Sequence, residues 1–492
     1  MCEGASSMSH SSQALLDHGD PSSAPQGEVA QDQPARRIGL TGSLALVAGS
    51  MLGIGIFLAP VTMATHIYSP ALFLGVWAFT GLIALAGATS YAELGVMMPH
   101  SGGDYVFHRE ALGSSVAFAY GWGLLSTGFA GSIAAMAVPL CSFQLGSLSG
   151  WPMNEVALQL PVLGAVQWAQ LGALVLIWLL TIVNIYGVKV ASALQSLTTY
   201  IPLIALTALS LYVWSQPSVN ANMGAEALSS DASWSVSGVT TAFLEAYFAY
   251  SGWNAVIYVA GEVERPQVTL PRALIGGTLV VMCLYLLFCS ATLHGLGLDG
   301  LRSLAEGRQD IASALAEGLG SPLLLTLILS LISVALIASI NATVIGGGRV
   351  GFALAQDQAF WSGAARLHPT YQTPANALYA QALIASLAVL LIPWHLIFSV
   401  VSLVLVVGGA MTVGSLFVLR HRQPNATRPY RALGYPWLPL LFIGSALFVV
   451  IVKLLDVYQG VEGAWYPVGG LLVVGVAFVL HRGLQRRAQR LS

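Results

Sequence analysis

Runs of 18 or more apolar residues recur along nearly the whole 492-residue chain, each long enough to cross a bilayer. Nothing else in the sequence narrows the fold as much. Inside hydrocarbon the backbone has no water to bond, and a helix satisfies its own N–H and C=O groups within one segment. Composition agrees, since 56% of residues are hydrophobic and 8% are charged, against about 25% charged in an ordinary soluble domain. The expectation is an all-α membrane protein that crosses the bilayer many times.

Twelve spans are expected, at residues 40–65, 70–97, 116–142, 167–187, 191–214, 238–261, 271–293, 322–350, 374–392, 395–419, 436–457 and 465–482. Cations orient them. With the N-terminus in the cytoplasm, 16 of the 19 Lys and Arg residues fall on the cytoplasmic side, and only Arg302, Arg308 and Lys453 fall outside. An even number of spans puts both termini in the cytoplasm, and the plasma (inner) membrane is the expected location. Residues 1–35 are polar and Ser-rich and carry no Lys or Arg. They lack the pattern of a cleavable signal and read as a disordered tail, leaving 36–492 as the membrane domain.

Several function classes drop out. Cys2, Cys141, Cys283 and Cys289 have neither metal-site nor disulfide-framework spacing, and no histidine pairs with Cys, Asp or Glu at ligand spacing. No span carries a nucleophile–base constellation, so no enzyme activity is expected, and the missing P-loop excludes an ATP-driven pump within this chain. No metal, cofactor or nucleic-acid partner is expected. The partners implied are the bilayer and a small solute.

The first span contains GSMLGIGIFLAP, Gly49 to Pro60, with Gly49, Gly53 and Gly55 close together. Each glycine weakens a helix by about 1 kcal/mol relative to alanine. Gly49 and Gly53 also form a G-x-x-x-G pair that suits close helix packing. The sixth span has a matching interruption at Tyr250-Ser251-Gly252-Trp253-Asn254. Five spans separate the two, so in a five-plus-five inverted repeat (38–214 and 238–419, with two further helices in 436–482) they occupy equivalent places. Paired breaks of this kind mark the central site of a transporter. Half-helix N-termini attract a carboxylate and unwound carbonyls attract an ammonium, which together suit a zwitterionic α-amino acid. The candidate binding residues are Met51, Gly53, Ile54 and Gly55 in the first break. In the second they are Phe248, Ala249, Tyr250, Ser251, Gly252, Trp253 and Asn254.

Four long segments carry a family resemblance. They are GSMLGIGIF; YAELGVMMPHSGGDYVFHREALGSSVAFAYGW, Tyr91 to Trp122; FAYSGWNAVIYVAGEVERPQVTLPRAL, Phe248 to Leu274; and INATVIGGGRVGFALAQDQAFW, Ile340 to Trp361. In this order, over roughly residues 38–435, the chain resembles the amino acid–polyamine–organocation transporters, and within them the L-type amino acid transporter branch. The resemblance implies a five-plus-five inverted repeat with two extra helices and alternating access around a midplane site. It implies that the substrate carboxylate meets the amides of Ile54 and Gly55. The ammonium would meet the carbonyls of Met51, Phe248 and Ser251, with the Phe248 ring as a gate.

The chain departs from that pattern in two places. Many relatives carry a lysine in span 5 where this chain has Pro202, within VKVASALQSLTTYIP. In relatives that ammonium fills a cation position between spans 1, 5 and 8, so here the position is empty, holds water or holds a sodium ion, and the coupling, to sodium or to protons, stays open. Ser339 and Thr343 in span 8 are candidate ion ligands. Relatives linked to an ancillary heavy chain use a cysteine between spans 3 and 4. Residues 143–166 have none, so no disulfide-linked heavy chain is expected.

Further gating or coupling candidates are Glu93, Glu245 and Asn341. Glu245 lies about 9–10 Å into span 6, where it could carry a proton, attract a cationic side chain, or simply face water at the outer mouth. Glu93 ends span 2, where gate closure and helix-end charge pairing are both open. Asn341 reads equally as interhelical glue and as a substrate contact. The favoured reading is an exchanger or ion-coupled permease for neutral L-amino acids. A carrier of cationic amino acids or polyamines and a non-transporting amino acid sensor are the alternatives.

Overall fold

Local chemistry starts and stops the helices. Ser69 caps the second apolar run, with its Oγ 3.4 Å from the Leu72 amide and Pro70 in the first turn. Ser235 does the same for the sixth, 2.9 Å from the Gly238 amide. The fourth opens on a capping box between Gln167 and Gln170. The computed structural model describes residues 35–161, 164–217, 235–307, 311, 322–461 and 463–491. The expected disordered tail, 1–35, lies outside the described residues except for its last position.

In chain order the helices are α1 (Leu40–Met51), α2 (Gly55–Ala64), α3 (Pro70–Met97), α4 (Asp104–Leu112), α5 (Ser114–Gly123), α6 (Ala130–Pro139) and α7 (Gly146–Ser149). A hairpin of β1 (Val156–Leu160) and β2 (Gly164–Gln167) follows. Then come α8 (Trp168–Ile185), α9 (Val188–Ser215), α10 (Val236–Tyr250), α11 (Ala255–Tyr258), α12 (Pro266–Gly307) and α13 (Pro322–Gln356). The chain closes with α14 (Ala375–Leu391), α15 (Trp394–Arg422), α16 (Trp437–Tyr458) and α17 (Trp465–Leu491).

Among the described residues ten helices are long and apolar enough to cross a membrane, and the protein is an integral membrane protein. Outward-facing Val175, Ile204, Leu323 and Val479 are each at least 66% exposed, as side chains solvated by lipid would be. Two of the twelve expected spans fall outside the ten. The sixth is divided into α10 and α11 by the interruption the sequence marks, and α14 has 17 residues, about 25 Å of helix. The all-α expectation needs one amendment. The stretch expected as a loop between the third and fourth spans holds the antiparallel hairpin, where VALQL and GAVQ face each other.

Around the centre, α12 packs along α1, α3 and α9, while α13 lies against α1 and α9. The half-helix α10 lies against α2 and α3. The third apolar run is α-helical except for two π-helical turns, Leu124–Phe129 and Leu140–Leu145. Such turns widen a helix locally and recur at functional sites.

Candidate functional site

Both marked helices break where the sequence places the breaks. α1 ends at Met51 and α2 starts at Gly55, while α10 ends at Tyr250 and α11 starts at Ala255. The breaks touch, and two glycines allow it. A Cβ on Gly55 would stand 2.5 Å from Ala249 Cα, and Gly252, with φ +97°, lies against the backbone of Ser50. Gly49 is different, since Gln195 and Thr199 of α9 fill the space above it. The G-x-x-x-G pair thus splits its duties, with Gly49 packing and Gly53 in the unwound turn.

Between the breaks lies a cavity of about 70 Å3, room for a few waters or a small solute. Of the sequence-derived candidates, Met51, Gly53, Ile54, Gly55, Phe248, Ala249, Ser251, Gly252, Asn254, Ser339 and Thr343 line it. None of its lining residues is Asp, Glu, Lys or Arg. Polarity comes from backbone and from neutral side chains, including Ser132 and Tyr258, which sequence reasoning did not single out. The π turn Leu124–Phe129 contributes Leu124, Gly128 and Phe129 to the wall. The first amides of α2 have no preceding turn to bond and form the positive end of its dipole.

Carbonyls at the breaks are already engaged. The Met51 carbonyl accepts from the Gly53 amide at 2.7 Å and lies 2.5 Å from Tyr285 Oη. The Phe248 carbonyl accepts from the Ser251 amide at 2.9 Å and from its hydroxyl at 2.6 Å. A cation at either carbonyl must displace a donor or share with it. Tyr285 Oη is also 3.1 Å from the Ala249 carbonyl, so its one hydrogen serves both breaks. Tyr285→Phe removes that tie, worth about 0.5–1.5 kcal/mol. The expected result is a two- to ten-fold slower initial transport rate in proteoliposomes with the unfolding midpoint nearly unchanged, and an unaltered rate would deny Tyr285 this bridging role.

A sequence model of the amino acid permease family matches residues 38–478. The chain belongs to that family. Its relatives are themselves carriers. The permease is 27% identical over 425 residues to the serine/threonine exchanger SteT of Bacillus subtilis (strain 168), covering 84% of this chain and 90% of the exchanger. It is 28% identical over 423 residues to the human large neutral amino acids transporter small subunit 2, covering 83% and 74%. It is 28% identical over 403 residues to the mouse Asc-type amino acid transporter 1, covering 80% and 72%.

The remaining candidates of the permease lie outside the cavity wall. Tyr250 packs its ring 5.8 Å from Trp77 and 5.1 Å from Tyr285, and Trp253 packs 4.7 Å from Tyr91. Both rings brace the break from behind, because a half-helix buries its large apolar groups against neighbouring helices. Asn341 is fully buried and donates to Gln195 Oε1 at 2.9 Å while accepting from Asn184 at 2.8 Å. It ties α8, α9 and α13 together.

Pro202 is buried on α9, one turn past Thr199, whose hydroxyl donates to the Ala45 carbonyl of α1 at 3.2 Å. Neutral amides and hydroxyls therefore join α1, α9 and α13 in this part of the permease. Glu245 accepts from the Thr62 hydroxyl, joining α10 to α2.

Glu93 is completely buried and takes a bidentate bond from Arg420, at 3.0 and 2.6 Å. It also accepts from the Ala432 amide at 2.6 Å and pairs with Arg428 at 3.2 Å. The arrangement clamps α3 to α15 and to the segment after it. Lys453, counted on the outer side within the span 436–457, is buried in α16, 3.0 Å from Asp456 and 2.9 Å from the Thr241 hydroxyl.

Proposed function

We propose that this chain is a secondary transporter of neutral L-amino acids working by alternating access around the cavity between the two breaks. One observation carries the reading. Two interrupted helices present half-helix ends to a single hollow with no ionised side chain in its wall. A molecule with one positive and one negative charge on a single carbon needs both kinds of backbone pole and no countercharge, whereas a cationic side chain would need an acid there. In this reading the amides of Ile54 and Gly55 take the carboxylate. The carbonyls of Met51, Phe248 and Ser251 take the ammonium, and the Phe248 ring closes over it.

The same reading has twelve spans in a five-plus-five inverted repeat with two added helices and both termini cytoplasmic. It needs no cofactor and no disulfide-linked heavy chain. Relatives named for serine/threonine exchange and for large neutral amino acids support the neutral substrate class.

Counterflow in proteoliposomes tests it. Vesicles loaded with one unlabelled amino acid are offered a labelled panel, with and without sodium and a pH gradient. Neutral amino acids are expected to accumulate transiently and arginine, lysine and putrescine are not. Accumulation of the cationic set would replace the neutral reading, and binding without accumulation would mark a sensor.

A further inference from the structure

Four acids among the described residues are fully buried: Glu93, Asp104, Glu262 and Asp456. Three pair with a cation, namely Glu93 with Arg420 and Arg428, Glu262 with Arg349, and Asp456 with Lys453. Asp104 differs. No ion pair among the described residues involves it.

It is the first residue of α4, behind the Gly102–Gly103 turn, and 1% exposed. Its Oδ1 accepts from the Thr412 hydroxyl of α15 at 2.7 Å. Its Oδ2 meets the Tyr258 hydroxyl and lies 3.5 Å from Asn254 Nδ2. Tyr91 adds a further hydroxyl. Asn254 and Tyr258 both line the cavity, so this carboxyl group is joined directly to the second break.

Building on the transporter reading, we propose that Asp104 is a proton-binding residue of the transport cycle, carrying a proton while Tyr258 and Asn254 are seated on it and losing it when they leave. A buried carboxyl with no cation beside it takes the neutral form, and the ionised form becomes favourable once water reaches it. Release breaks the acid O–H bond and passes the proton to water, so nothing else is consumed. Burial raises the Asp104 pKa above the ordinary carboxylate value, while the hydroxyls of Tyr258, Tyr91 and Thr412 pull it back.

The titratable groups facing it are Tyr91 on α3, Tyr120 on α5, Tyr247 on α10, Tyr258 on α11 and His108 on its own helix. The phenols stay neutral below about pH 10. His108 shares the Thr412 hydroxyl at 2.8 Å, and burial lowers its pKa to about 3. The charged residues nearby are paired, Arg349 with Glu262, Arg420 and Arg428 with Glu93, and on its own helix Arg109 with Glu110 and with Asp357. Among the groups that face it, Asp104 is the one left to titrate.

The test is counterflow of labelled serine at a series of equal internal and external pH values between 5 and 9. The full-length wild type should show a sigmoidal pH dependence with its midpoint above the ordinary carboxylate value of about 4. Asp104→Asn should exchange serine with that dependence gone. Thr412→Val, which removes a donor that favours the ionised form, should move the midpoint upward. It decides the matter alone if Asp104→Asn is not recovered folded. A flat wild-type profile, an unchanged profile in Asp104→Asn, or an unmoved midpoint in Thr412→Val overturns the proposal. Absence of wild-type exchange of any amino acid at every pH would instead overturn the transporter reading beneath it.

Discussion

Gly55→Ala is expected to cut the initial rate of amino acid transport about ten-fold or more while the protein is still recovered from the membrane. The added methyl would sit 2.5 Å from Ala249 Cα, 2.8 Å from Ala249 Cβ and 3.1 Å from the Ala249 amide nitrogen. Those atoms are two backbone atoms of α10 and an alanine methyl, and none has a rotamer to escape into. The two half-helices must move apart, and overpacking of this kind costs about 1–3 kcal/mol. If that cost falls on the geometry transport requires, each 1.4 kcal/mol is a ten-fold loss in rate. Gly75→Ala on α3 is the control, because its Cβ would meet nothing within 4 Å, and it should transport like the wild type. Equal rates for the two variants would refute close contact between the breaks as a condition of transport.

Glu262→Ala should have the largest effect on stability. Glu262 and Arg349 are 0% and 2% exposed and bond side by side, at 2.8 Å and 3.1 Å. The Glu262 carbonyl also receives the amides of Arg37 and Ile38 at 2.8 and 2.9 Å, anchoring the chain just before α1. Removing the acid strands a buried guanidinium, at a loss of about 3–5 kcal/mol. The detergent-solubilised protein should then lose its monodisperse peak in size-exclusion chromatography and unfold at markedly lower temperature. Glu262→Ala combined with Arg349→Met removes both charges and should recover much of that loss. If the single variant is as stable as the wild type, the pair is not a clamp.

The two breaks were legible in the sequence because glycine and turn-forming residues stand out inside an apolar run. Helix locations were legible for the same reason, as long apolar stretches admit little else in lipid. Which face of each helix looks inward was not. A span hydrophobic on every side has no 3.6-residue contrast to read, so Tyr250 and Trp253 could not be told from Phe248 and Asn254. Asp104 passed unnoticed inside SGGDY, where an acid after two glycines looks like an ordinary turn-and-cap pattern at a helix start. Only the fold brings Thr412 and Tyr258 to it, from residues 308 and 154 positions away. Glu93 is the reverse case. Its place at a helix end was plain, and its role as a clamp depends on Arg420, 327 positions later. The hairpin at 156–167 alternates too briefly to rival the apolar runs on either side.

A phenol owns a single hydrogen, and at Tyr285 two carbonyl oxygens compete for it. Whichever oxygen loses that hydrogen has one donor fewer, though the Met51 carbonyl still accepts from the Gly53 amide. On the proposed transporter reading, an ammonium and the phenol would trade places there with the number of bonds conserved, which would lower the barrier to capture and to discharge. Such a swap favours quick turnover over tight grip.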